Sequence, residues 1–536
     1  MNHPSMNGSV RSAERSSVRS AEWSIRRPLV VLVLTIVHFM AMAGQIQAEV
    51  LAFSLAAPPD RYVEAEAIAF ELGRIGIDVT VEIKEQSVLR ADAIAGKLSA
   101  HLTDWGSAFF DPYDLAVPKL TTNARGNYSF YSNSRVDELM RIASSSTDLS
   151  ARTNAYYEVQ DIIFEDAPWA FGYFLPNIEG VSVDVNNYTP SMDTRINLHD
   201  VELGNSDTIT IGMNTDAFQS MDPATFRGRE TETVVRNMFD ALLTRTTDGR
   251  VVPELAESWI QVDDLTYIFT LRNGPKFHNG DAVAVEDVVF TFERVLSPTG
   301  IDGKPSPRRD LLGPLSAVEL VGTNQVRFLL SAPFPVFLQA IVHFQIVPKK
   351  HIQRVGDLGF ASKPIGTGPF RFVAGDLKSE IIMERFPDYY GGSPMLPPVW
   401  PAKLPKVIFR CMPEPFNRLA ALLAGEVDII QAVPTDLIEW LAASRSTQIL
   451  TAEGTRAYQI EFNTRRPPFD DVRVRRAVNH AIDWSVILSD IYNGYGERLA
   501  TCFLPNGFGY NPDLLPYEYN PQMARQLLRE AGYRDQ

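Results

Sequence analysis

The residue types that do bond-making chemistry are scattered in this chain. Its eight histidines show no metal-ligand spacing. His278, His343, His351 and His480 stand far apart in unrelated contexts, whereas a metal site needs three or four converging donors. Neither a Gly-x-Ser-x-Gly elbow nor a Cys-x-x-Cys is present, and Gly366-Thr-Gly368 is too short to cradle a phosphate. The acid pairs Asp263-Asp264 and Asp470-Asp471 sit beside strand ends or helix starts; Asp471 reads as a helix N-terminal residue favoured by the dipole, not as a general acid. His278, inside Phe277-His-Asn-Gly280, reads as a surface turn residue. No catalytic group, metal or cofactor is expected. Trp105-Gly-Ser-Ala-Phe-Phe110 offers flat apolar faces with backbone N–H groups, a combination suited to non-covalent capture of a ligand. Trp105, Ser107 and Phe109 are therefore candidate ligand contacts; the competing reading places Trp105 in a core.

The elements that must position this loop alternate between helix and strand. Residues 49–56 and Ile77–Ile83 read as strands, with apolar spacing for a helix over Val63–Arg74 between them. Leu149–Asp166 reads as a helix with Ser150 as its N-cap. Asp207–Met213 and Thr266–Arg272 read as strands, and Glu286–Val295 as a helix closed by Ser297-Pro298. Ala457–Asn463 reads as a strand, followed by helices over about 471–482 and 485–493. Residues 297–314 and 387–405 are dense in Pro and Gly and mark surface loops. No repeat of 20–50 residues occurs, which excludes a solenoid or propeller.

The 536 residues allow two or three domains, and 45% hydrophobic with 21% charged residues is a globular composition. A net charge of −15 disfavours nucleic acid as a partner. Residues 1–48 read as a signal peptide. Arg11, Arg15, Arg19, Arg26 and Arg27 precede an apolar run over Leu29–Ala43, and Ile46-Gln-Ala48 fits a cleavage site, with Ala41-Met-Ala43 as a second option. The run is short for a membrane span. The implied location is the periplasm. Cys411 and Cys502 are too few for a disulfide framework and read as free thiols.

Five blocks between 250 and 536 carry a specific resemblance. They are Val252-Pro-Glu-Leu-Ala-Glu-Ser-Trp259 running on through Lys276-Phe-His-Asn-Gly280 to Arg294; Pro364–Phe370; Arg418–Asp428; Phe462–Val478; and Tyr519–Tyr533. In this order they resemble the peptide/nickel-type extracytoplasmic solute-binding proteins of ABC importers, family 5. Trp105–Pro112, Asn127–Leu139 and Ile163–Trp169 resemble that family's later blocks, yet here they come first. The order implies a circular permutation; a fused gene fragment beside a truncated copy is the alternative. The resemblance implies a two-lobed α/β periplasmic-binding-protein fold, type II-like, with a hinge and an enlarged lobe I. Lobe I would span 172–456, and lobe II would be split between 49–171 and 457–536, with chain crossings near 169–174 and 458–463.

The function so implied is capture of a peptide or other small polar solute by lobe closure and its delivery to the transmembrane subunits of an ABC permease, by a monomer. An exported enzyme, or a scaffold or chemoreceptor adaptor of the same fold, is the rival. Met213, Asn214 and Phe218 would line the wall opposite the Trp105 loop. Tyr458 and Asn463 would sit at a crossing, as ligand contacts or as hinge structure. In peptide-binding relatives an Asp in this loop pairs with the peptide's α-amine; here Ala108 stands at that position. Solutes without a free α-amine are expected to bind better, unless Asp104 or Asp111 substitutes.

Overall fold

The structure, a computed structural model, describes residues 50–204, 206–396 and 400–534. The expected leader lies outside the described residues. Among the described residues no helix is long and apolar enough to cross a membrane.

Strand β1 (Ala52–Ala57) places Phe53, Leu55 and Ala57, two residues apart, in one apolar core. It pairs in parallel with β2 (Asp78–Ile83) and β3 (Ala100–Gly106). Parallel neighbours require a crossover. For β1 to β2 it is helix α1 (Tyr62–Gly73), whose Ile68 and Leu72 cover the sheet. Helices α2 (Ser134–Ser145) and α3 (Leu149–Asp166) pack together. The cap of α3 is Asp148, not Ser150. The Asp148 carboxylate accepts from the backbone N–H groups of Ser150 and Ala151, at 2.8 and 3.2 Å, so Ser150 is already inside the first turn. Next comes β4 (Trp169–Phe174), buried along its whole length.

The chain then enters a second layer. It contains β5 (Asn177–Ser182) and β6 (Thr208–Met213), followed by helix α4 (Arg229–Val235). Strands β7 (Ala256–Asp263) and β8 (Thr266–Leu271) lead to helix α5 (Val285–Leu296) and to β9 (Leu315–Val321) and β10 (Gln325–Leu330). Strands β11 (Phe370–Asp376), β12 (Glu380–Arg385), β13 (Lys406–Cys411), β14 (Ile429–Ile430) and β15 (Thr447–Ala452) follow. The chain returns to the first layer with β16 (Arg456–Phe462), α6 (Val472–Ala481), α7 (Trp484–Ile491), β17 (Glu497–Arg498) and α8 (Pro521–Glu530).

Among the described residues three large sheets result, beside two of two strands each. A six-stranded sheet has the order β2-β1-β3-β16-β4-β17, a seven-stranded sheet β11-β12-β13-β6-β14-β5-β15, and a four-stranded antiparallel sheet β7-β8-β10-β9. Apolar cores cover both faces of the six-stranded sheet. Val474, Val478, Ala524 and Leu528 join Leu55 and Ile68 on one side, while Val136, Val159 and Ile163 meet Trp169 and Phe171 on the other.

The chain passes between the six- and seven-stranded sheets through two short connectors, Leu175-Pro176 and residues 453–455. The segments 169–174 and 458–463 are β4 itself and, but for residue 463, the greater part of β16, each next to one connector. The connectors touch. A Cβ on Gly454 would stand 1.8 Å from the Leu175 carbonyl oxygen, so only glycine allows this approach.

His278 is not a simple surface turn residue. Its Nε2 donates to the Gly368 carbonyl at 3.1 Å and its Nδ1 accepts from the Gly366 N–H at 3.2 Å, and burial lowers its pKa to about 4. Cys411, half-buried in β13, and the buried Cys502 are free thiols.

Candidate functional site

The C-terminal end of β3 lies beside β16, with Asp104 opposite Tyr458, Trp105 opposite Ala457 and Gly106 opposite Arg456. The loop that follows is held by its own carboxylates. Asp114 accepts from the Ser107 hydroxyl at 2.6 Å and from the N–H groups of Ala108 and Phe109 at 2.5 and 3.2 Å. Burial lifts the Asp114 carboxyl to about 6, although these hydrogen bonds oppose the shift. Asp111 caps the next turn by accepting from Tyr113 N–H, and Arg152 reaches both its oxygens at 2.7 Å. The Trp105 indole N–H donates to the Asp114 carbonyl at 2.7 Å. Beneath the indole, Lys119 is fully buried in an ion pair with Glu461, its ammonium 5.0 Å from the Trp105 ring centroid.

This loop is seated against groups from the second layer. Arg229, on α4, donates to the Ser107 carbonyl at 3.1 Å and to the Thr455 hydroxyl at 3.3 Å. Arg245 donates to the Ala108 carbonyl at 2.8 Å, and its guanidinium lies 4.7 Å from the Phe110 ring centroid. Phe109, 4% exposed, is buried in the apolar core of the four-stranded sheet, together with Phe334 and Phe337.

Two cavities lie at the junction, and a third opens on the first layer beside it. One, about 290 Å³, is lined by the connectors together with Asn214, Arg229, Gln431 and Tyr458. A second, about 210 Å³, lies between Ala108-Phe109 and a set of charged side chains that includes Arg195, Arg229, Arg236, Arg308 and Glu232. A third, about 340 Å³, borders β3 at His101, Asp104, Trp105, Tyr128 and Arg456. Arg229 belongs to the first and second, and Arg456 to the first and third.

The structure thus distributes the expected residues unevenly. Asn214 and Tyr458 line the first cavity, Phe109 the second and Trp105 the third. Ser107 is buried, with its hydroxyl on Asp114 and its carbonyl on Arg229. Met213 and Phe218 are buried in the core of the seven-stranded sheet: Met213 ends β6, an interior strand whose side chains are covered, and Phe218 folds back onto that core from the segment after it. Asn463 lies at the far end of β16, where its amide donates to the carbonyls of Gly96 and Leu98, at 3.2 Å each. Neither crossing holds it; it ties down the turn that enters β3. Tyr458 stacks on Tyr173, with ring centroids 5.2 Å apart.

The arginines escaped the reading of the sequence. Arg195, Arg229, Arg236 and Arg308 come from distant segments and share no spacing. Only Arg229, Glu232 and Arg236 carry a signal, since steps of three and four residues bring side chains to one helical face.

The family description "Bacterial extracellular solute-binding proteins, family 5 Middle" matches residues 250–536. The glutathione-binding protein GsiB of Pectobacterium atrosepticum is 30% identical over 323 residues, 59% of this chain and 60% of that protein. Heme-binding protein A of Haemophilus influenzae is 31% identical over 303 residues, 53% of this chain and 54% of that protein. The chain therefore spans between about half and three-fifths of the length of these relatives. Among solved structures, HbpA2 from Haemophilus parasuis superposes with a TM-score of 0.53 at 27% identity, covering 61% of this chain and 67% of that one.

Proposed function

Because the chain belongs to the bacterial extracellular solute-binding proteins of family 5, we propose that it is the substrate-binding component of an ABC importer. In this reading it captures a small polar solute, a peptide or another compound, and presents it to the permease. The six-stranded layer is one lobe. The seven- and four-stranded layers form the other. The two connectors at 175–176 and 453–455 are the hinge. A solute that touches both lobes favours the closed state by its differential contacts.

The observation that carries this reading is the cavity at the connectors. Its walls come from both layers, Tyr458 from one and Asn214 and Gln431 from the other. Trp105, Phe109, Asn214 and Tyr458 are the proposed ligand contacts. Asp104 pairs with Arg456, and Asp111 with Arg152. Asp111 is buried against Arg152 and closed to a peptide α-amine, and Asp104, which borders the third cavity, is already paired with Arg456; both pairings support a preference for solutes without an ammonium, since an enclosed ammonium needs a partner.

We also propose that the chain is circularly permuted relative to its family. Helix α8 packs on α6 and contributes Ala524 and Leu528 to the core that holds β1 and α1. Arg525 donates to the Arg74 carbonyl at 2.9 Å. These contacts support a family order in which the 521–530 helix leads into the 52–57 strand. The signal peptide and periplasmic location read from residues 1–48 belong to the same proposal.

Native mass spectrometry of the protein as purified tests the function. The expected result is one small solute per chain, released on denaturation. A chain that carries no solute, and that shows no stabilisation by any compound in a broad metabolite screen, would overturn the reading.

A further inference from the structure

The second cavity differs from its surroundings in charge. The chain as a whole carries −15. Yet Arg195, Arg229, Arg236 and Arg308 line this cavity, and Arg245 stands directly behind it on the Ala108 carbonyl. The carboxylates there are Asp193 and Glu232. Glu232 accepts from His343 Nδ1 at 2.7 Å and forms ion pairs with both Arg236 and Arg308 at 3.6 Å, one carboxylate shared by two guanidinium groups. Asp193 receives the Ser191 hydroxyl at 2.7 Å and the Arg195 backbone N–H at 3.3 Å. Behind the cavity lie Glu254 and Asp240. Burial and the Glu254 charge hold Asp240 well above the usual carboxyl range, which favours its neutral form. Guanidinium groups outnumber the ionised carboxylates.

Several donors have no partner. Arg308, 1% exposed, donates Nη2 to the His343 carbonyl at 2.6 Å, while its Nε and Nη1 are buried without a hydrogen bond. Arg195, 9% exposed, uses both Nη groups on Thr244 and the Arg245 carbonyl and leaves Nε without one. Unpaired buried guanidinium donors are costly. Burial, reinforced by Arg236, lowers the pKa of both Arg195 and Arg308. Conversely, burial would raise Asp193 and Glu232, but their neighbours hold both below the usual carboxylate range: Arg195 foremost for Asp193, and His343, with its Nδ1 on the carboxylate, followed by Arg308 for Glu232.

A purely structural role accounts for part of this cluster. Arg229 and Arg245 tie the 107–109 loop down by its carbonyls. Arg195, Arg236 and Arg308 make no bond to that loop among the described contacts; Arg236 and Arg308 share the single carboxylate of Glu232, which leaves positive charge in excess. We infer that this cavity is the subsite for an anionic solute, a small molecule with two or more carboxylate or phosphate groups and no ammonium. Planar guanidinium forks recognise both groups bidentately. Ala108 and Phe109 close the cavity from the other lobe, and the first cavity, reached past Arg229, gives room for the rest of the solute. The inference rests on the solute-binding reading and names the class of solute.

Titration calorimetry on matched pairs tests it: succinate against succinamide, citrate against trimethyl citrate, fructose 1,6-bisphosphate against fructose, with inorganic phosphate and Gly-Gly alongside. At least one anion should bind at least about tenfold tighter than its neutral counterpart. The carboxylate and phosphate arms distinguish the two sources of charge. Arg236→Gln should weaken that anion about 10- to 100-fold with the fold retained by circular dichroism. The panel on the natural chain decides even if this variant does not fold. Equal or tighter binding of the neutral partners, or of Gly-Gly, would overturn the inference while leaving the solute-binding reading intact. Silence from every compound, with no solute found on the purified protein, would overturn both.

Discussion

Asp104, Asp111 and Asp114 crowd one loop, and their partners decide what each can do. The Asp111–Arg152 pair is buried and doubly hydrogen-bonded at 2.7 Å. Removing one partner strands the other charge. Asp111→Ala should therefore cost about 3–5 kcal/mol in urea denaturation, whereas a surface pair would cost under about 1 kcal/mol. Asp114 forms no ion pair among the described residues; Arg229 acts on it only from a distance. Its carboxyl stands near 6, against 3.8 for an ordinary one, because it is buried. A carboxyl raised on folding stabilises the native loop while protonated. That contribution is complete below the unfolded value and is lost as pH rises through about 6. The Trp105 indole bonds to the Asp114 carbonyl. Its fluorescence should report a transition near pH 6, read as the difference between the natural chain and Asp114→Asn, in which the transition disappears. Identical pH profiles would refute the assignment.

At the scale of elements, two features govern the junction of the layers. The first is the contact of the connectors at Gly454. Gly454→Ala places a Cβ 1.8 Å from the Leu175 carbonyl oxygen, a backbone atom that cannot rotate away. The connectors must separate, at a cost of at least about 1–3 kcal/mol by analogy with overpacked cores. The melting temperature should fall. The second feature is Phe109, which projects from the β3 loop into the core of the four-stranded sheet. If the connectors are a hinge, Phe109→Ala should open the molecule rather than unfold it. Small-angle scattering would show a larger radius of gyration, with the denaturation midpoint little changed. Loss of about 3–5 kcal/mol at constant radius, the cost of an ordinary core truncation, would instead mark a rigid junction.

For the whole molecule, the proposed permutation makes a direct prediction. A reordered chain, with residue 534 joined to residue 50 by a short linker and a new N-terminus at residue 206, would restore the family order. It should fold to the same far-ultraviolet spectrum and bind the same solute, because β1, α1, α6 and α8 already share one core. A reordered chain that aggregates or loses solute binding would count against permutation. The charge distribution also acts at this scale. An acidic surface keeps the chain soluble, while the basic cavity supplies attraction only at short range, within about one Debye length of 8 Å at physiological salt.

Much of this was legible in the sequence, because local periodicity and backbone chemistry carry it. The helices over 62–73 and 285–296, the strands over 78–83 and 208–213, and the N-terminal role of Asp471 follow from patterns within a dozen residues. The family followed from blocks of residues in order. The cap at Asp148 was missed by two positions, since Asp148 and Ser150 are both good caps and only the chain's entry angle selects one. The site was less legible. Asn214 and Tyr458 line the connector cavity, but Met213 and Phe218 turned inward, because which way a strand end and the segment after it face depends on what covers them. The arginine-lined cavity was invisible. Arg195, Arg229, Arg236 and Arg308 are separated by up to 113 positions along the chain. Only the packing of helix 229–235 beneath the 107–109 loop brings these charges together, and a charge shows its function only when its neighbours are known.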